Sequence, residues 1–82
     1  MQFTDAAIAQ EARLSPFIYD RMWDRVEKIL ADPEAGKHAS WTNYVSSQRM
    51  WGSRVAGTDY TVFWTVDGDV LWVELIVEDP GL

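Results

Sequence analysis

Four side chains in this sequence could act on a phosphate: Lys37, His38, Arg49 and Arg54. His38 is the single histidine. Imidazole alone titrates near neutrality without help, so it could take or give a proton in the loop it occupies. Arg54 offers a planar fork of donors that can clamp two phosphate oxygens at once. Lys37 and Arg49 would add positive potential beside it. Trp41, Tyr44 and Trp51 are interleaved with these cations, a pattern that stacks nucleobases or anchors a protein partner. Each residue also has a plainer reading. Loop histidines are usually solvated, strand arginines pair with acids such as Asp59 or Glu74, and lysines keep surfaces soluble. Five tryptophans in 82 residues also have a small core to fill.

Composition narrows the chemistry further. With no cysteine, disulfides, thiolate metal sites and cysteine nucleophiles are excluded. No activated nucleophile, metal-ligand cluster or phosphate loop stands out, so an independent enzyme ranks last and no cofactor is expected. The net charge of −6 is unevenly placed: residues 1–54 balance seven acids against seven bases, while residues 55–82 carry six acids and no lysine or arginine. That third would repel a phosphate backbone and better suits a basic protein partner. The length fits one domain, residues 1–82, with a modest core burying roughly 60–65% of its unfolded surface. No basic-then-apolar leader is read at the start, and no apolar run approaches the roughly 18 to 20 residues of a membrane span. The expected location is the cytoplasm, with no membrane partner.

The elements that must position these residues begin with two helices. Thr4 is placed to cap a helix over residues 5–14, with Phe3 and Ile8 as a hydrophobic staple. Ser15-Pro16 then supplies an N-cap and a first-turn proline for a helix over residues 16–31. Its apolar stripe is Ile18, Met22, Val26, Ile29 and Leu30, with Asp24 and Lys28 as an ion pair on the wet side. Asp32-Pro33 stops it. "EAGKHASW" reads as loop, and "WTNYVSS" as a short strand or an irregular crossing. From Arg49 onward the strand signal is strong: "RMWGSRV", a turn at "AGT", then "DYTVFWTV", "DG" and "DVLWVELIV".

Asp67-Gly68 predicts a two-residue hairpin turn in which glycine takes positive φ. That register sets Trp64 opposite Leu71 and Val62 opposite Val73. Tyr60, Val62, Trp64, Val66, Leu71, Val73, Leu75 and Val77 then form the core face. Phe63 sits opposite Trp72 on the other face, and a sheet face with two large aromatics is one that something else covers. Phe63, Trp72 and Trp41 are therefore the candidate partner-binding residues.

Two helices, a "DP" stop and a curled antiparallel sheet are also the element order of the RelE/ParE toxin superfamily. "VEKILADPEAGKH" resembles the end of that family's second helix. "RMWGSRVAGTDYTVFWTVDGDVLWVELI" resembles its arginine strand, Gly-Asp-Tyr turn, apolar strand and acidic hairpin turn. The resemblance spans about residues 3–77. It implies an α+β fold, an N-terminal αα-hairpin packed on a curled antiparallel sheet of three to four strands, the first family strand being shortened or absent. It implies the toxin half of a type II toxin–antitoxin module, held by a cognate antitoxin. Toxicity would arise through ribosome-dependent mRNA cleavage or through poisoning of DNA gyrase. On this resemblance Arg54 and His38 become catalytic candidates, with Lys37 and Arg49 contacting phosphate or RNA. The last strand departs from the pattern: "LIVEDP", residues 75–80, stands where active ribonucleases of the family carry arginine, histidine or tyrosine. Glu78 or Asp79 would be the only base there. The alternative is a catalytically inactive, RelE-like binding or self-associating domain with a regulatory role.

Overall fold

The computed structural model describes residues 1–78; Asp79, a candidate base, lies outside them. Its elements are β1 (Gln2–Phe3), α1 (Asp5–Glu11), α2 (Pro16–Ala31), α3 (Pro33–His38), β2 (Thr42–Val45), β3 (Met50–Arg54), β4 (Tyr60–Asp67) and β5 (Val70–Glu78). The strands form one sheet in the order β1-β5-β4-β3-β2. Its last four strands pair antiparallel, and β1 joins β5 in parallel. The expected curled antiparallel sheet of three to four strands is thus corrected to an open, mixed sheet of five, with β1 and β2 as its edges. The added strand is two residues long, too short for side-chain alternation to reveal it in sequence.

Helix starts follow local chemistry. Thr4 Oγ1 accepts from the Ala7 N–H at 3.1 Å and donates to the Glu74 carbonyl at 2.7 Å, so one hydroxyl caps α1 and pins it to β5. Ser15 caps α2 ahead of Pro16. Asp32 Oδ1 accepts from the Ala35 N–H at 3.1 Å, ahead of Pro33. Asp32-Pro33 therefore ends α2 and starts α3, where a loop was expected. The cap-then-proline pattern is the same as at Ser15-Pro16.

Other expectations are revised. α1 ends at Glu11 instead of residue 14. Ile8 is exposed and the Phe3 ring packs 5.4 Å from Trp23, so no staple forms between Phe3 and Ile8. Leu30 is exposed, while Arg25 is buried beside Met22, Val26 and Ile29 on the inner stripe of α2. Asp24 and Lys28 make no ion pair; Lys37 Nζ instead meets Glu34 Oε1 at 2.8 Å within α3.

The core lies between the helices and one face of the sheet. It holds Ala7 of α1, Met22, Val26 and Ile29 of α2, and Val62, Trp64, Leu71, Val73 and Ile76 of β4 and β5. The hairpin turn is Gly68-Asp69, with Asp67 opposite Val70 and Gly68 at φ 60°. A one-residue shift from the expected turn puts Trp64 opposite Val73. Beyond that pair the register slips again: Phe63 faces Leu75, leaving Glu74 as the extra residue of a β-bulge. An inserted residue reverses which side chains face the core. Ile76 is therefore buried, and Leu75 and Val77, expected in the core, are half-buried on the other face. Phe63 opposes Leu75 and Trp72 opposes Thr65, so the two aromatics share a face without facing each other directly.

Candidate functional site

Strand alternation places Phe63, Thr65, Trp72, Leu75 and Val77 on the side of the sheet away from the helices. None of these five is fully buried, and the apolar ones pack outside the core cluster. Among the described residues, no helix lies on that side. This open face is the candidate site.

Its shape depends on one glycine. Gly52 of β3 pairs with Phe63 of β4, and a Cβ there would sit 2.8 Å from Phe63 Cε1. The missing side chain leaves room for the phenyl ring against the strand. Two shallow depressions flank that ring. One, of about 470 Å³, is lined by Trp41, Asn43, Gly52, Arg54, Thr61 and Phe63 among others. Another, of about 300 Å³, runs past Val45, Met50, Phe63 and Leu75. Thr65 Oγ1 donates to Glu74 Oε2 at 2.9 Å, fixing an acid beside the apolar strip.

Trp41 is fixed from behind. The Arg25 guanidinium stacks 3.9 Å from the centroid of its indole ring, and Arg25 Nε donates to the Arg54 carbonyl at 2.8 Å. α2 thereby sets the position of two residues at the mouth of the larger depression. Burial pushes the Arg25 pKa down from its ordinary value. An arginine inside an apolar helix stripe was a readable signal, and it was missed as a site element.

The structure brings Trp41, Arg54 and Phe63 together in one depression and sets Trp72 further along the same face. The remaining candidates lie elsewhere. The Lys37 Nζ lies 4.6 Å from the centroid of the Trp51 ring, on the helix-facing side where Trp51 stacks on Trp64 and meets Tyr44 at a tilt. His38 is the exposed last residue of α3 and makes no side-chain hydrogen bond among the described residues. Arg49 closes the β2–β3 turn at φ 55°, a left-handed conformation that costs a non-glycine residue roughly 1 kcal/mol. Lys37 and Arg54 therefore face opposite sides of the sheet. Among the described residues, no group of three or more histidine, aspartate or glutamate side chains could hold a metal, and no helix is long and apolar enough to cross a membrane.

The arrangement presents an apolar and aromatic surface bordered by Arg54 and by Glu74. Comparison with protein families, with characterised proteins and with solved structures finds no match.

Proposed function

We propose that this chain is the toxin-like half of a two-protein module of the toxin–antitoxin kind, and that its molecular act is to receive a cognate partner protein across the open face of the sheet. The observation that carries the reading is the aromatic and aliphatic strip of Phe63, Trp72, Leu75 and Val77 left outside the core. Such strips mark interfaces, and their buried aromatics carry most of the binding energy. The acidic last third of the chain favours a partner with basic residues around its own apolar contact.

The dispersal of Lys37 and Arg54 to opposite faces favours a second reading, in which the domain binds without cleaving anything. Growth separates the two. Expression alone in bacteria should arrest growth, and co-expression of a small protein encoded beside the gene should restore it. In an arrested culture, loss of mRNA integrity points to the ribosome and loss of DNA supercoiling to gyrase. Normal growth at good expression would sink the toxin reading and leave the binding domain.

A further inference from the structure

A further concavity lies against α2, and its chemistry differs from that of the open face. It encloses about 520 Å³ between α2 and the turn at Ala56, with Arg21, Asp24, Arg25, Glu27 and Lys28 in its lining. A volume of this order suits a small molecule.

Arg25 is its unusual member. The residue is 8% exposed. Its Nε serves the Arg54 carbonyl and its flat face serves Trp41. Among the described residues, no carboxylate forms an ion pair with it. Each fully shielded side-chain nitrogen or oxygen among the described residues has a hydrogen-bond partner. The two Nη nitrogens of Arg25 make no hydrogen bond among the described residues and so are not completely shielded, and Arg25 is one of the residues that line the pocket. A guanidinium with its Nε anchored, one face stacked and its two Nη groups unpaired among the described residues is a preorganised oxyanion receptor. Arg21 and Lys28 stand one helical turn to either side. Arg21 reaches across the mouth, its Nη1 lying 3.7 Å from where a Cβ on Gly57 would be.

We propose that this pocket binds a small organic monocarboxylate, its two oxygens paired with the two Nη groups of Arg25. Asp24 and Glu27 decide the ligand's charge. They leave three cations against two carboxylates in the lining, so a monoanion is matched charge for charge, while a dianion brings a larger desolvation cost that the lining does not match. A phosphate dianion is disfavoured on that ground, and the planar fork matches a carboxylate.

The test is a titration of the ¹⁵N-labelled protein at constant ionic strength with benzoate, benzamide and inorganic phosphate. Benzoate should shift the Arg25 Nε–H and Trp41 indole resonances saturably, benzamide should not, and phosphate should bind more weakly. Arg25→Lys keeps the charge but loses the fork, and should weaken benzoate binding about tenfold. Should that variant lose its fold, Arg21→Gln and Lys28→Gln keep the test open: both side chains are exposed. Each should weaken benzoate severalfold at an unchanged melting temperature. A carboxylate presented by a partner protein would show as binding of an acidic peptide with none of free benzoate, and would overturn the small-molecule assignment. Absence of a saturable shift, equal shifts with phosphate or benzamide, or unchanged benzoate affinity in the folded variants would overturn the site.

Discussion

The two faces of one sheet are made of similar residues and live under different rules. On the helix side, Trp64 is fully buried, its indole N–H donates to Ser53 Oγ at 2.8 Å, and Ser53 Oγ lies 2.6 Å from Thr42 Oγ1. On the open side, Trp72 is half-buried and Phe63 rests on the bare backbone of Gly52. A tryptophan that is enclosed and hydrogen-bonded holds a fold together. One lying on an uncovered strand adds less to stability and is available to something else. The difference arises from the helices, which cover one face, and from the bulge at Glu74, which turns Leu75 and Val77 outward.

The sharpest way to break this contrast is to truncate the enclosed indole. Trp64→Ala should destabilise the protein by about 3–5 kcal/mol through the cavity it leaves, read as a fall in the urea midpoint. A loss no larger than that of an open-face truncation would mean that the two faces are not distinct. A step smaller in size, Ser53→Ala strips a buried partner from both the Trp64 indole and the Thr42 hydroxyl. It should destabilise by about 1–3 kcal/mol. A near-zero change would show that the buried triad is incidental.

Much of the covered face was legible in the sequence, because caps and alternation are local signals. Thr4, Ser15 and Pro16 announced their helices, and α2 has the expected limits. Val62, Trp64, Leu71 and Val73 fell on the core side despite the misplaced turn, because a two-residue hairpin loop preserves alternation wherever it is centred. The bulge was not legible, since an unpaired Glu74 looks like any polar residue in an alternating strand. From that point the face assignment inverted. β1 escaped because its two residues acquire strand character only by pairing with Trp72 and Val73 far along the chain. Arg25 was not singled out, although it is a cation within an apolar stripe, and only packing shows that it stacks on Trp41. For the open face, Phe63 and Trp72 were identified correctly as outward, while their neighbours Leu75 and Val77 were not.

The glycine beneath Phe63 sharpens the comparison from within the open face. A Cβ at position 52 must displace the phenyl ring. In a closed core such overpacking costs about 1–3 kcal/mol because nothing can yield. Here the ring has open space beside it, so Gly52→Ala should fall near 1 kcal/mol and alter the depression shared with Trp41 and Arg54. A loss of several kcal/mol would show that the face is as tightly enclosed as its opposite.

The smallest expected change in stability is also the one that speaks most directly to function. Trp72 stands on β5 between Gln2 of β1 and Thr65 of β4, outside the core cluster. Replacing it with threonine supplies a β-branched side chain suited to a strand and removes the aromatic surface. Trp72→Thr should therefore shift unfolding stability by no more than about 1 kcal/mol. If the open face receives a partner, the same substitution should weaken binding by about 2 kcal/mol or more, or roughly thirtyfold. The two measurements must be made on one preparation, because their ratio carries the argument. A large stability loss with unchanged binding would make Trp72 part of the scaffold. Small effects on both would move the partner contact away from this end of the face and toward the Trp41–Arg54–Phe63 depression.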